Sequence, residues 1–407
     1  MAQEGLELRV SAPGKVILHG EHAVVYNKLA LAASLGLRTK AKLVETSGNN
    51  FELICPALDM KFSFDLNLLA NVLDKPLPIL CPSADYSWNQ TELLDQPSLL
   101  KIVDSFLNNA GIPPFESTDP KHLALKTFFF LLFGILGSLN LALNAIRVEI
   151  TTELTIAAGS GSSASYAVTI TALLLQYARL KLKQSNASKT GYKPFHFNES
   201  KQFTKDDREI ISQWALLAEK ILHGTPSGID NTVCTFGSMV EFKRGQYMKL
   251  LEIKASLRIL LVNTNVSRNT KALVAKVALL HKTHMSVTDH IMDAIEECTK
   301  SSIDLINNLA QSGDNSIYDR LFELSDLNHC LLASLTVSHP KLEKIREVCF
   351  KYGLKGKLTG AGGGGYFFSF VPPTLDNKVL EKMIYELMNE GFTAAVVGLG
   401  GTGVSVD

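Results

Sequence analysis

The sequence lacks an excess of charge of either sign, because 40 lysine and arginine residues balance 40 aspartate and glutamate residues. Proteins that hold nucleic acid through bulk charge need a basic excess or a basic stripe, since they neutralise phosphates. The densest basic cluster, residues 179–183, is more simply interpreted as the charged end of a helix. The charge balance therefore predicts a protein that does not bind nucleic acid.

Cysteine is also scarce, with 6 residues in a chain of 407. No Cys-x-x-Cys pair occurs, and no histidine stands at zinc-finger spacing from a cysteine, so neither a disulfide framework nor a zinc finger is indicated. The N-terminal residues include glutamates and form no apolar signal core. We expect a cytoplasmic protein.

One long apolar run complicates this picture, because residues 127–145 carry no charge. A membrane span needs about 20 predominantly apolar residues, so the run is nearly long enough. It nevertheless contains Ser138, Asn140 and Asn144 and has no polybasic flank. These features favour a buried helix over 122–143 and no membrane association, with a membrane anchor as the alternative.

The length suits two domains better than one. Strand-like and helix-like segments alternate, which predicts an α/β or α+β fold, with domains at 1–250 and 251–407. The predicted elements are a strand–loop–strand over 7–20, strands over 29–37, 147–154, 258–264 and 366–371, helices over 122–143, 164–183 and 206–223, and further helices within 268–312 and 318–352. Residues 184–207 are polar and predict a surface loop or partly disordered insertion.

The segment AAGSGSSA at 157–164 joins a predicted strand to a predicted helix. Small residues let the backbone approach a phosphate, and a helix N-terminus offers free N–H groups and a favourable dipole. Serine hydroxyls there can bind phosphate or Mg²⁺. The segment matches neither a Walker A motif nor a GxGxxG fingerprint. By itself it fits an ordinary strand–helix turn with a serine N-cap better.

A glycine-rich run at 360–365 has five glycines in six positions. Each glycine loses much conformational freedom on folding, so such a run inside a domain needs a reason. We favour a loop that faces a ligand over a plain turn.

Two carboxylates stand near the turn at 226–228. Asp230 follows this turn, where a carboxylate could orient or deprotonate a hydroxyl, although a simple capping role is the alternative. Glu219 lies opposite the apolar stripe of the predicted helix 206–223, which by itself indicates exposure. Small and apolar neighbours flank it, so it could instead be covered and hold Mg²⁺.

Lys15 follows Pro13 and Gly14 at the start of a β-rich run. A lysine there could stabilise negative charge that develops on a phosphate or on an attacking oxygen. The alternative is an exposed turn lysine, which is the usual state of this residue type.

Four segments in this order resemble the GHMP kinase superfamily, and within it the branch that phosphorylates mevalonate. They are SAPGKVILHGEHAVV at 11–25, TPSGIDN at 225–231, TNVSRNTKALV at 264–274 and KLTGAGGGG at 357–365. The first and last segments are highly specific, and the similarity spans the whole chain.

The resemblance implies a two-domain α+β GHMP kinase fold with the active site in the cleft between the domains. It also implies ATP-dependent phosphorylation of the C5 hydroxyl of mevalonate to 5-phosphomevalonate, a step towards isoprenoids and sterols. ATP and Mg²⁺ would be the cofactors, mevalonate the substrate and a homodimer the assembly.

The roles of individual residues are likewise implied by the resemblance. Asp230 would be the catalytic base or orienting carboxylate, and Lys15 would pair with it. ATP would bind to Thr152, Ala157, Ala158, Gly159, Ser160, Gly161, Ser162 and Ser163. Mg²⁺ would bind to Ser163 and Glu219. The substrate would lie near Glu21, His22, Arg268, Thr270, Gly360 and Ala361.

The phosphate loop departs from the family pattern, which usually begins with proline and continues Gly-Leu-Gly-Ser-Ser. Thr155 and Ile156 replace the expected prolines, Ala157 replaces a glycine and Ser160 replaces the leucine. We therefore expect ATP binding to differ from that of relatives. The alternatives are superfamily members that act on phosphorylated mevalonate, which need extra basic residues, or a non-catalytic binder, which would have lost the base, lysine or metal ligand.

Overall fold

The computed structural model describes residues 6–75, 77, 95–112, 116, 119–139, 141–156, 158–184, 202–223, 226–244, 247–251, 257–312 and 314–407. Ala157 and most of the predicted insertion at 184–207 lie outside these residues. The described part combines helices with a largely antiparallel sheet, which confirms the α+β class.

The strands are β1 (Glu7–His19), β2 (Leu29–Glu45), β3 (Asn50–Cys55), β4 (Met60–Asp65), β5 (Ile146–Thr152), β6 (Met239–Lys243), β7 (Tyr247–Leu251), β8 (Leu257–Asn263), β9 (Gly356–Leu358), β10 (Tyr366–Phe370), β11 (Thr393–Leu399) and β12 (Ser405–Val406). The helices are α1 (Leu66–Leu73), α2 (Gln96–Asn109), α3 (Pro120–Ser138), α4 (Ser162–Gln184), α5 (Lys205–His223), α6 (Ile229–Phe236), α7 (Thr270–Thr283), α8 (Met285–Ser312), α9 (Ile317–Ser334), α10 (Pro340–Lys351) and α11 (Asn377–Asn389). Two 3₁₀ turns, at Ala23–Tyr26 and Pro56–Leu58, complete the described elements.

Side-chain caps explain where several helices begin. The carboxylates of Asp65, Asp95, Asp119 and Asp376 accept backbone N–H groups in the first turns of α1, α2, α3 and α11. Such caps satisfy amide donors that have no partner inside the helix. A proline in the first turn of α2, α3 and α10 lacks an N–H that would otherwise need a partner.

The predicted strand–loop–strand over 7–20 is wrong, because β1 runs through it without a break. The pairing register with β2 shifts between Pro13 and Lys15 and again between Ile17 and His19. A bulge accommodates proline and glycine within a strand, so Pro13 and Gly14 form an irregularity and not a turn.

The sheet has the hydrogen-bonding order β4-β3-β5-β2-β11-β8-β10-β9, with β1 and β6 also paired to β2. Among the described strands, only β3 and β5 pair in parallel. The two halves of this order meet where β11 joins β2 through the register pair Leu399–Leu35. The long strand β2 is therefore the central connection of the sheet.

Two large hydrophobic cores pack on this sheet. The first contains side chains of α1 to α5 with those of β3, β4 and β5. The second combines side chains of α7 to α11 and β8 to β11 with Val16, Leu18 and Leu31 of β1 and β2. Residues from both sides of position 250 thus share one core, and the division at 250 stays a prediction.

The apolar run at 127–145 lies mainly in α3, which is the only described helix long and apolar enough to span a membrane. However, 67% of its most apolar window is buried. Phe128, Phe129 and Phe133 are fully enclosed in the first core. The prediction of a buried core helix is confirmed, although the helix ends at Ser138 rather than 143.

Candidate active site

Lys15 lies at the first bulge of β1, close to the loop that precedes α4. Its backbone N–H donates to the carbonyl oxygen of Ser160 at 2.8 Å. A Cβ on Gly14 would lie 2.7 Å from that same oxygen, so glycine is needed for this approach. The Lys15 side chain is only 7% exposed, and the alternative of an exposed turn lysine is wrong.

The ammonium of Lys15 forms an ion pair with Asp230, with 3.0 Å between Nζ and Oδ1. Asp230 lies in the first turn of α6, where the helix dipole favours a negative charge. Gly228, with φ of 84°, occupies the N-cap position, so Asp230 is a helix residue and not the cap of the turn. Its side chain is 34% exposed, which leaves the carboxylate accessible to a substrate.

Glu219 of α5 is buried, contrary to the exposure that its position opposite the apolar stripe indicates. The face that carries it is covered because α5 packs against α4 and α6 as well as against the first core. Burial, reinforced by the charge of Asp230, raises the pKa of Glu219 to about 8, although a hydrogen bond from Ser163 and the charge of Lys15 oppose this shift. A buried carboxylate of this kind favours a bound cation.

The loop before α4 has the backbone of an anion site. Gly159 and Gly161 adopt φ angles of 88° and 71°, which residues with a Cβ rarely adopt. Helix α4 begins at Ser162, so Ser162 and Ser163 lie in its first turn, where amide groups lack partners within the helix. Ala158, at the start of this loop, is buried.

Two other residues expected to bind ATP have different surroundings. Ser160 is buried, and its hydroxyl has no hydrogen-bond partner among the described residues. Thr152 ends β5, where its hydroxyl lies 3.1 Å from that of Thr39 and accepts the N–H of Leu154 at 3.1 Å. Thr152 therefore helps to hold the strand end from which the loop departs.

Arg268 lies between the phosphate loop and the glycine-rich run. Its Nη1 donates to the carbonyl oxygen of Thr359 at 3.2 Å. A Cβ on Gly159 would overlap the guanidinium, and one on Gly360 or Gly365 would come within 2.9 or 3.1 Å of it. Glycines of both loops thus leave a slot that the Arg268 side chain fills. This slot explains why glycine is needed at part of the glycine-rich run.

The charge of Arg268 belongs to the same site. Burial lowers the pKa of its guanidinium, and the nearby carboxylate of Asp230 opposes this shift. Thr270, in contrast, is exposed at the first position of α7.

Glu21 and His22 contact the C-terminal motif directly. The carboxylate of Glu21 forms a buried ion pair with Lys357, and Nε2 of His22 donates to the carbonyl oxygen of Ala361 at 2.9 Å. Burial raises the pKa of Glu21, and the charge of Lys357 opposes this rise. Burial also lowers the pKa of His22, which favours its neutral ring.

The fold therefore brings all four motifs into direct contact with one another or with the phosphate loop. Two residues of the last motif, Lys357 and Thr359, escaped the sequence-based set of site residues. The hydroxyl of Thr359 donates to the carbonyl oxygen of Ile17 at 2.8 Å, which ties β1 to the glycine-rich run. The available sequence signal was a lysine and a threonine on either side of Leu358, within the motif KLTGAGGGG.

Comparison with protein families adds an independent observation. Residues 294–390 match the family "GHMP kinases C terminal". The chain is 34% identical to the mevalonate kinase of Bos taurus, over 98% of this chain and 94% of the relative. It is 34% identical to that of Homo sapiens, with the same coverage, and 32% identical to that of Arabidopsis thaliana, over 98% of this chain and 100% of the relative.

Solved structures support the same fold. A crystal structure of mevalonate kinase superposes with a TM-score of 0.66 at 21% identity, covering 96% of this chain and 99% of the other. The L. major mevalonate kinase in complex with R-mevalonate also gives 0.66 at 21% identity, covering 99% and 98%. Lactococcus lactis galactokinase gives 0.57 at 16% identity, covering 98% and 95%. At these identities the similarity shows the fold alone.

Proposed function

Because the chain belongs to the mevalonate kinase family of GHMP kinases, we propose that it transfers the γ-phosphoryl group of ATP to the C5 hydroxyl of mevalonate. The products would be 5-phosphomevalonate and ADP. The observation that carries this proposal is the ion pair between Lys15 and Asp230, 3.0 Å apart, together with the hydrogen bond from the backbone of Lys15 to the phosphate loop. This geometry supports an acid–base role for Asp230 beside an anion site.

Asp230 would accept the proton of the C5 hydroxyl, or orient that hydroxyl, as it attacks the γ-phosphorus. Lys15 would stabilise negative charge on the attacking oxygen and hold Asp230 in position. Phosphoryl transfer depends mainly on positioning and charge stabilisation, so one carboxylate and one lysine are sufficient side-chain chemistry. The phosphate loop at 158–163 would bind the phosphates of ATP through the first amides of α4.

The residues present also fit a Mg²⁺ ion. Ser163 and Glu219 can each supply an oxygen ligand, and burial raises the pKa of Glu219 to about 8, which supports a site where a cation would stabilise the carboxylate. Mg²⁺ prefers one or two carboxylates together with phosphate oxygens. The ion would neutralise charge on the ATP phosphates.

The remaining parts of the proposal concern substrate and assembly. Mevalonate would lie near His22, Arg268 and the glycine-rich loop, between domains divided near residue 250, with Thr270 at its edge. We further propose a cytoplasmic homodimer without a nucleic-acid or membrane partner.

A coupled assay of ADP release tests the function. The purified protein is supplied in parallel with mevalonate, phosphomevalonate, mevalonate diphosphate, galactose and homoserine, each with MgATP. We expect turnover with mevalonate and background rates with the other four. Turnover of galactose or homoserine with none of mevalonate would overturn the substrate assignment.

A further inference from the structure

The residues that follow β1 form a strained turn. Gly20 has φ of 96°, and His22 has φ of 59° although it carries a side chain. A residue with a Cβ pays a conformational penalty there, which persists only where the surrounding contacts hold it. A Cβ on Gly20 would meet the backbone of Leu29 and Ala30, so the turn is also pressed against β2.

Two successive side chains of this turn bind to the same C-terminal motif. Glu21 forms an ion pair with Lys357, which is in β9, and His22 donates to Ala361, which is in the glycine-rich loop. The turn is therefore attached at two points, four residues apart, to the C-terminal motif.

The Glu21–Lys357 pair is enclosed, with exposures of 1% and 0%. Nζ of Lys357 also donates to the carbonyl oxygen of Leu358 at 2.8 Å and lies over the ring of Phe368, 5.4 Å from its centre. Asn328 approaches the second carboxylate oxygen of Glu21 at 3.5 Å. Both charged groups are thus engaged by the protein, and neither faces solvent.

The strand that carries Lys357 is fixed from its other side. The N–H of Leu358 donates to Nδ1 of His329 at 3.1 Å, and Nε2 of His329 donates to Glu343 at 3.0 Å. Lys357 is consequently held in place. If the ion pair were broken, the side that could move is therefore Glu21 and the strained turn that carries it.

We propose that Glu21 and Lys357 are positioning residues, and that their pair holds the strained turn so that His22 and the glycine-rich loop keep the mevalonate pocket in shape. Glu21 then acts through Lys357 and does not contact the substrate. The inference rests on the proposed function, because it concerns the substrate of that site. Breaking one member leaves an uncompensated buried charge, whereas removing both need not.

The test is a double-mutant cycle with Lys357→Met, Glu21→Gln and the double variant, assayed for kcat and for the KM of each substrate. We expect Lys357→Met to raise the KM for mevalonate about tenfold or more while changing the KM for ATP less than about threefold. The double variant should be no worse than Lys357→Met, because the two side chains act as one unit.

Lys351→Met is a matched control. Lys351 forms a 2.9 Å ion pair with Glu386 between α10 and α11, but this lysine is 50% exposed. The same chemical change there should leave both KM values unchanged.

Glu21→Asp is a second variant in case Lys357→Met does not fold. It keeps the negative charge but shortens the side chain that reaches Lys357. We expect a raised Kd for mevalonate, measured by calorimetry. A normal mevalonate KM in folded Lys357→Met, with a defect confined to Glu21 variants, would overturn this inference in favour of direct substrate contact. If wild-type protein does not turn over mevalonate, the proposed function itself fails.

Discussion

Two lysine–carboxylate pairs lie at the two ends of the segment from Lys15 to Glu21, and they differ in exposure. Asp230, the partner of Lys15, is 34% exposed, whereas Glu21 and its partner Lys357 are at most 1% exposed. An accessible carboxylate can exchange a proton with a substrate, but an enclosed pair can only hold structure. We therefore propose that similar ion pairs at the two ends of one motif serve chemistry at one end and positioning at the other.

The first prediction removes the accessible pair and has the largest expected effect. Asp230→Asn and Lys15→Met should each lower kcat by about 10² to 10⁴, the usual contribution of a positioned acid–base group. The coupled ADP assay measures this loss.

Thermal unfolding provides the control, because each substitution leaves one charge of the partly buried pair without its partner, and only variants that remain folded at the assay temperature report on kcat. A kcat within about tenfold of wild type in either variant, with intact fold, would contradict the assigned roles.

The second prediction concerns Glu219, which is as buried as Glu21 but has a raised pKa of about 8. Glu219→Gln should lower kcat/KM for MgATP on the order of 100-fold, because it removes an anionic metal ligand. Mg²⁺ binding to the wild type should tighten as pH rises towards 8 and release a proton, because the ion requires the ionised form.

Calorimetry in buffers of different ionisation enthalpy measures that proton, and Glu219→Gln should abolish its release. Equal proton release by wild type and variant would remove Glu219 from the metal site.

The third prediction concerns stability and has the opposite sign. The pKa of Glu219 rises on folding from 4.5 to about 8, so between these values the folded protein binds more protons than the unfolded chain. The free energy of unfolding therefore falls as pH rises through this window. Without metal, Glu219→Gln should raise Tm at about pH 8.5 and raise it less at about pH 5.5. A pH-independent difference in Tm would contradict the raised pKa.

The fourth prediction tests the slot that links the two loops. Gly159→Ala should displace Arg268 and raise KM values about tenfold, because the added Cβ would overlap the guanidinium. Gly353→Ala is the control, since Gly353 has a similar φ of 76° but open space around its Cβ position. Both substitutions put a Cβ on a residue with positive φ and so introduce similar backbone strain. Only the difference between their KM values therefore reports on Arg268. Equal KM values would rule out the slot.

The smallest expected effect is at Ser160, where the sequence departs from the family pattern. A buried hydroxyl without a partner destabilises the free protein slightly, and a bound phosphate could satisfy it. Ser160→Ala should therefore raise the KM for ATP by no more than about threefold and leave stability equal or higher. A lower KM for ATP would show that this hydroxyl does not assist binding.

Much of the fold followed from local patterns. The helices at 164–183 and 206–223 and the buried apolar helix agree with α4, α5 and α3 to within a few residues, because the signals that predict them lie within each segment of the sequence. The continuous course of β1 through Pro13 and Gly14 was missed. Proline and glycine signal a turn in most contexts, and only pairing with β2 stabilises a bulge instead.

The sequence by itself determined the motifs, their order and the family, since these depend on residue identity along the chain. It could not determine which charged side chains are enclosed. On an isolated helix, the position of Glu219 predicts an exposed side chain. Lys357 lies 336 positions from Glu21, so no nearby residue indicates its partner. Only the packing of α5 between α4 and α6, and the contact of the turn after β1 with β9, decided these environments. The free energy of a buried charge depends on the partner that tertiary structure supplies, and sequence spacing does not encode that partner.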